Sequence, residues 1–308
     1  MPTRRAGSIH LFRFAGIDVF LHWSWFLVAL FEIQGRHRNY SSLVWNVAEY
    51  LAVFLIVLMH EFGHSLACRQ VGGAANTIVL WPLGGVAFVS PPQRPGATLW
   101  SIAAGPLVNV ALLPLLYAAT TVARVSGWAV AAPDAWTFVR TLFVINFVLL
   151  AFNLLPIYPL DGGQILRSLF WFFLGRARSL FVASILGFVA LVAALGWALW
   201  SGSLWNAFLA YFLLANCWRG LQSARRMMEL GEVPRREGLA CPNCHTAPPY
   251  GEFWRCPQCG QPSDPFTTGA TCRCGAQFFA ASCPHCGETH PIGTWMVPFA
   301  TQSTDATA

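Results

Sequence analysis

Residues 51–70 read LAVFLIVLMHEFGHSLACRQ, an apolar run that carries two histidines and a glutamate. A helix turns about 100° per residue, so His60 and His64 would lie one above the other on the same face. Two imidazoles at this spacing can hold one zinc ion, with Glu61 beside the open coordination position as a general base. The alternative is a pair of capping or snorkelling histidines, but ionisable groups at membrane depth are costly and favour a functional site.

The composition indicates an integral membrane protein. Of the 308 residues, 56% are hydrophobic and only 10% are charged, whereas a soluble domain is about 25% charged. We therefore expect an all-α polytopic membrane protein with about six transmembrane helices. We place these helices at roughly 19–34, 44–69, 96–123 and 137–155, with two more within 179–218.

Charge predicts the orientation of these spans. The formal net charge of +6 is accounted for by arginines near both ends of the apolar region. Because positive residues are retained on the cytosolic side, we expect a multi-pass protein of the cell (inner) membrane with both termini in the cytoplasm.

Residues 153–164, NLLPIYPLDGGQ, form a second polar constellation at the end of an apolar segment. Pro156 and Pro159 would break the helix at membrane depth and expose Asp161 to a cavity. A catalytic zinc usually takes three protein ligands and leaves one position open, so Asp161 is the candidate third ligand. Asp161 and Gln164 also have the spacing of a helix capping box, and both roles can hold together.

The segment 76–90 predicts a membrane-embedded β-hairpin. It is rich in β-branched and aromatic residues and is interrupted by Pro82 and by the Gly84–Gly85 pair. Non-helical backbone at membrane depth must be enclosed by protein or line a cavity, where an exposed strand edge could pair with an extended peptide. A hairpin lying at the membrane surface is the open alternative.

Eight of the ten cysteines fall in four closely spaced pairs near the C-terminus. Such pairs typify metal-binding turns, and four of them make two four-thiolate zinc sites that resemble tandem zinc ribbons. Simple order joins the first two pairs and the last two, although an interleaved arrangement stays open. The pairs are Cys241 and Cys244, Cys256 and Cys259, Cys272 and Cys274, and Cys283 and Cys286.

These zincs should be structural, because a closed shell of four cysteines leaves no open position. We regard the nearby His245, His285 and His290 as bystanders. Nucleic acid is an unfavourable partner, since few basic residues follow Arg236, and a protein partner of the ribbons remains the candidate. The aromatic residues of the tail are expected to pack inside the ribbons: Phe253, Trp254, Phe278 and Phe279.

Three motifs together resemble the site-2 protease family of intramembrane zinc metalloproteases. They are His60-Glu61-Phe62-Gly63-His64, Gly105-Pro106 with Asn109, and Asn153-x-x-Pro156-x-x-Pro159-x-Asp161-Gly162. The resemblance covers about residues 10–225. It implies a core of three helices, a catalytic zinc held by His60, His64 and Asp161, and Glu61 as the acid–base residue. It also implies that substrate is held as an extended strand with help from Asn153, Gly84, Gly85 and Val86.

The sequence thus predicts an intramembrane zinc metalloprotease that cuts membrane-anchored substrates in or near their transmembrane segment, as in regulated intramembrane proteolysis. The expected substrate is a single-span membrane protein or a signal-peptide remnant, embedded in membrane lipid. One alternative is a membrane metal transporter, which leaves Glu61 beside an open metal position unexplained. Another is a catalytically silent scaffold, which the complete set of ligands opposes.

The expected domains are a metalloprotease domain over 1–220, a helical linker over 221–238, a double zinc ribbon over 239–295 and a disordered tail over 296–308. The expected cofactors are one catalytic zinc and two structural zincs. We expect Asn109 to form a hydrogen bond between helices that stabilises packing, because an amide inside the bilayer needs a partner.

Overall fold

The structure is a computed structural model that describes residues 7–27, 40–81 and 84–296, with the backbone alone for residues 84–86. The chain divides into two compact units whose boundary lies between Ala224 and Arg225. The first unit holds the apolar helices and a small sheet, and the second holds the cysteine pairs.

Long helices dominate the first unit. They are α1 (Leu43–Gln70), α2 (Pro95–Val125), the short α3 (Trp128–Ala131), α4 (Pro133–Asn153), α5 (Asp161–Trp200) and α6 (Leu204–Glu232), the last of which continues past the boundary. Within the described residues, α1, α2, α4 and α5 are long and apolar enough to cross a membrane. The membrane class is therefore confirmed, while the count of six spans stays a prediction.

The predicted first span over 19–34 is wrong at its start. Residues Ile17–His22 form a β-strand rather than the beginning of a helix. Ile17 and Val19 are fully buried in a cluster with Ile78, so pairing with a distant strand outweighs the apolar character that suggested a helix. The rest of that predicted span lies partly in residues 28–39, outside the described residues.

A four-stranded sheet lies beside α1. Its strands are β1 (Ser8–Phe14), β2 (Ile17–His22), β3 (Ala74–Trp81) and β4 (Gly84–Ser90), in the order β1-β2-β3-β4. Strand β2 is antiparallel to β1 and parallel to β3, and β3 is antiparallel to β4. Strand β4 is therefore an edge strand.

Glycines allow α1 and α2 to approach each other closely. A Cβ atom on Gly63 would lie 2.7 Å from the backbone oxygen of Ala104, and one on Gly105 would collide with the imidazole of His64. Any larger side chain at these two positions would push the helices apart. The glycines of the first two motifs therefore bring the His64 ring against α2.

Helix α5 is continuous over 40 residues except at Gly175, where φ is 75° and ψ is 172°. This left-handed position is readily adopted by glycine, which lacks a Cβ atom. The kink separates the segment that begins at Asp161 from the apolar segment that ends at Trp200.

The second unit contains two small antiparallel sheets, formed by β5 (Trp254–Arg255) with β6 (Pro262–Ser263) and by β7 (Ala280–Ser282) with β8 (Thr289–Pro291). Trp254, Phe278 and Trp295 form one buried cluster with four of the cysteines. The expectation that the tail aromatics are buried is right for Trp254 and Phe278 but wrong for Phe253 and Phe279, which are 44% and 81% exposed.

Candidate metal centres

Helix α1 and the first turn of α5, which follows the proline-containing loop 154–160, bring His60, His64 and Asp161 together. The distances are 3.1 Å from His60 Nε2 to Asp161 Oδ2, 3.1 Å between the two Nε2 atoms, and 3.4 Å from His64 Nε2 to Asp161 Oδ2. A tetrahedral zinc with bonds of about 2.0–2.1 Å would separate its ligand atoms by about 3.3 Å. The three atoms therefore have the spacing that one zinc ion requires.

The other ring nitrogens of both histidines have partners. His64 Nδ1 lies 2.9 Å from the backbone oxygen of Ser101, and His60 Nδ1 lies 2.6 Å from Asn109 Oδ1. When each Nδ1–H donates to these oxygens, both Nε2 lone pairs point at Asp161. Three electron-rich atoms so close together repel one another without a cation between them. The donor set fits a divalent metal.

Glu61 lies beside this cluster and is held by the sheet. All three side chains of the helix motif are buried, each 6% exposed. The backbone N–H of Ala87 in β4 donates a hydrogen bond of 3.0 Å to Glu61 Oε2. Since this N–H is directed to α1, it is not committed to β3, and the carboxylate is fixed next to the edge strand.

Asp161 is positioned by the first turn of α5. It is the first residue of that helix, where the positive end of the helix dipole favours a carboxylate. A Cβ atom on Gly162 would collide with Leu154, and one on Gly163 would collide with Ile157, so the two glycines let the turn pack against the loop that precedes it.

The predicted capping box is wrong. The residue before the helix is Leu160, and no side chain caps this end. Instead Gln164 Nε2 donates to the backbone oxygen of Pro159 over 2.9 Å. The Asp161 carboxylate is instead directed at the histidines through Oδ2.

The residues predicted to bind substrate lie at the end of α4 and at the start of β4. Asn153 is the last residue of α4, directly before the proline loop. Gly84, Gly85 and Val86 are the first residues of β4, opposite Trp81, Leu80 and Val79 of β3. Their roles in substrate binding stay predictions.

The cysteine sites are nested rather than consecutive. Cys241, Cys244, Cys283 and Cys286 form one cluster, and Cys256, Cys259, Cys272 and Cys274 form the other. The simple pairing order is therefore wrong, because the first and last cysteine pairs share one site and the two middle pairs share the other. No histidine belongs to either cluster among the described residues.

Sulfur spacing supports zinc at both sites. Neighbouring sulfurs lie 3.7 Å apart, for example Cys241 to Cys286 and Cys256 to Cys274, and tetrahedral zinc with bonds of about 2.3 Å places them about 3.8 Å apart. Backbone N–H groups of Cys259 and Gln258 lower the pKa of the Cys256 thiol to about 6. The thiolate form, which is the metal ligand, is thus favoured at Cys256, whereas burial and hydrogen bonds with neighbouring thiols raise the pKa of Cys259 in the same cluster.

Three residues near the metal cluster were not predicted from the sequence: Ser101 and Ala87, which contact His64 and Glu61, and Asn146, which contacts the His60 partner Asn109. Two of them act through backbone atoms, so their side chains carry no signal. Asn146 carries one, because it is an amide within the apolar stretch 137–155.

Comparison with known proteins agrees with these features. The model of peptidase family M50 matches residues 119–197, a segment that contains Asp161. Zinc metalloprotease MJ0392 of Methanocaldococcus jannaschii is 32% identical over 182 residues, which are 58% of this chain and 50% of that protein. Putative zinc metalloprotease Rip3 of Mycobacterium tuberculosis is 34% identical over 231 residues, which are 68% of this chain and 57% of that protein.

A solved structure is also similar. The site-2 protease from Methanocaldococcus jannaschii superposes with a TM-score of 0.50 at 27% sequence identity, covering 70% of this chain and 95% of that one. The chain spans between 50% and 57% of the length of the two curated relatives.

Proposed function

Because the chain is a member of the site-2 protease family, peptidase family M50, we propose that it is an intramembrane zinc metalloprotease. It hydrolyses peptide bonds in or near the transmembrane segment of membrane-anchored proteins. The observation that carries this proposal is the convergence of His60 and His64 from α1 and Asp161 from α5 onto one point, beside a buried glutamate.

In this proposal His60, His64 and Asp161 hold the catalytic zinc. When bound there, the zinc acts as a Lewis acid that polarises the peptide carbonyl and makes water a stronger acid. The eight tail cysteines hold two further, structural zincs. Their binding energy stabilises a unit whose core is too small to be stable by itself.

Glu61 moves the proton. Its carboxylate takes a proton from the attacking water and delivers it to the nitrogen of the leaving amine, which is general base and then general acid catalysis. The hydrogen bond from the Ala87 N–H keeps Oε2 oriented. The second oxygen of the carboxylate is left to face the water.

We propose that the substrate binds as an extended strand at the free edge of β4. Gly84, Gly85 and Val86 lie at the start of this edge strand, and the Glu61 carboxylate is bonded to its next residue, Ala87. Strand addition supplies backbone hydrogen bonds that depend little on side chains. Asn153 would hold the substrate backbone from the end of α4.

The substrate class is a single-span membrane protein or a signal-peptide remnant. A helix shields its own peptide bonds, so the segment to be cut must unwind before it can pair with β4. We further propose six spans in the cell (inner) membrane with both termini in the cytoplasm, consistent with the arginines that flank the apolar region.

The test uses the purified full chain in liposomes with a single-span substrate. Wild-type protein is expected to cleave the substrate within its membrane segment, and Glu61→Gln is expected to keep its zinc and lose cleavage by a factor of about 100 or more. Equal cleavage by both proteins would remove Glu61 from the mechanism. Zinc flux across the same vesicles without cleavage would favour a metal transporter instead.

A further inference from the structure

Two buried asparagines connect His60 to a backbone carbonyl. Asn109 lies on α2 and Asn146 on α4, and they are 1% and 0% exposed. Asn109 Oδ1 lies 2.6 Å from His60 Nδ1, Asn109 Nδ2 donates to Asn146 Oδ1 over 2.8 Å, and Asn146 Nδ2 donates to the backbone oxygen of Asn109 over 3.0 Å. We call these two side chains the asparagine relay.

The backbone carbonyl of Asn109 fixes the orientation of both amides in the relay. A backbone carbonyl oxygen can only accept, so the amide nitrogen of Asn146 must face it. The oxygen of Asn146 then faces Asn109 and must receive an N–H. Asn109 is thereby obliged to turn its own nitrogen toward Asn146 and its oxygen toward His60.

This orientation determines where His60 carries its proton. An amide oxygen at 2.6 Å from Nδ1 requires Nδ1–H, which leaves the lone pair on Nε2. Nε2 is the atom that lies 3.1 Å from Asp161 Oδ2. If the Asn109 amide were reversed, its nitrogen would face His60 and its oxygen would face the oxygen of Asn146.

We propose that Asn146 is a positioning residue for the metal site: acting through Asn109, it selects the His60 tautomer that presents Nε2 as a ligand. This inference rests on the proposed zinc site. His64 needs no such relay, since its Nδ1 meets the backbone oxygen of Ser101 directly at 2.9 Å. An asparagine can present either end to its neighbour, and a carbonyl cannot, which is why a second asparagine is required for His60.

A role in packing alone makes a different prediction. The relay would then stabilise the contact between α2 and α4, and its loss would lower stability without a specific effect on the metal. Variants that keep the packing and change only the hydrogen bonds separate the two roles.

The test measures zinc retained per chain as a competing chelator is added to the purified full-length protein. The four-cysteine zincs serve as an internal reference in every sample. Asn146→Leu keeps the number and branching of the side-chain heavy atoms but removes both hydrogen bonds, and it is expected to lower the affinity of the zinc held by His60, His64 and Asp161 by 10–100-fold, as loss of outer-shell partners typically does. Asn146→Ala is a second variant with the same expectation.

Leu150→Ala is the matched control, because Leu150 lies one turn further along α4 and is buried, 7% exposed. It removes packing from the same helix and should leave the zinc affinity within about twofold of wild type. The rescue variant adds Asn109→Asp to Asn146→Leu. A carboxylate has only acceptors, needs no neighbour to orient it, and should restore the affinity to within a few-fold of wild type.

The proposed positioning role of Asn146 is refuted if Asn146→Leu and Asn146→Ala bind the zinc at His60, His64 and Asp161 as tightly as wild type does. It is also overturned if Leu150→Ala weakens the zinc equally, or if Asn109→Asp fails to rescue. Wild-type protein that holds only the two cysteine-bound zincs would overturn the proposed function, and the relay with it.

Discussion

Replacing Gly105 by alanine tests how tightly α2 constrains the metal cluster. The added Cβ would lie 2.8 Å from His64 Cδ2 and closer still to Cε1 and Nε2. Ordinary contacts between carbon atoms are about 3.5–4.0 Å, so the ring must retreat by about 1 Å. A displacement of this size at a reacting centre costs about 100-fold in rate, and it also takes Nε2 out of reach of a shared metal.

The assay is cleavage of a single-span substrate in liposomes, together with the zinc content of the same samples. Gly105→Ala should lower cleavage by at least about 100-fold, and further where the displaced ring also releases the zinc. Gly96→Ala is the control on the same helix, since its Cβ would meet only Phe172 at an ordinary 3.9 Å. Cleavage by Gly105→Ala within a few-fold of wild type would refute the reasoning.

Three further predictions concern other contacts. Ala87→Pro removes the N–H that orients Glu61 and should lower kcat at least tenfold, whereas Ala87→Ser keeps the N–H and should not; equal kcat for the two would contradict it. Cys272→Ser should release both structural zincs rather than one, because cysteines of both sites share one buried cluster; release of one zinc would show independent sites. Arg236→Gln breaks the buried ion pair with Asp264 and should destabilise the second unit by about 3–5 kcal/mol, measured by thermal unfolding of the tail; an unchanged midpoint would refute it.

Local spacing made the metal cluster predictable from the sequence. One helical turn separates His60 from His64, and this geometry is set by the backbone alone. Asp161 follows two prolines that stop a helix, so its place at the start of α5 could be predicted. The capping role also predicted for it was wrong. Membrane class followed from the scarcity of charge.

Other features depend on contacts between distant parts of the chain. Strand β2 pairs with β3, with Val19 opposite Ile78. The alternation of Phe12, Phe14, Ile17 and Val19 suggests a short strand that ends before the first span, but the distant partner that extends this strand to His22 is not visible in the local sequence. The nested cysteine sites likewise depend on which cysteine pairs come together in the folded chain. Every cysteine pair has nearly the same local spacing, so the sequence does not distinguish the arrangements. The role of Asn146 could not be predicted because it depends on the contact with Asn109 on a different helix.

The most direct measurement of the central claim is the zinc content of purified wild-type and Asp161→Ala protein by mass spectrometry. The three ligand clusters among the described residues predict three zinc atoms per wild-type chain and two in the variant, with cleavage abolished. An Asp161→Ala protein that retains the third zinc as tightly as wild type would contradict a metal held jointly by α1 and α5.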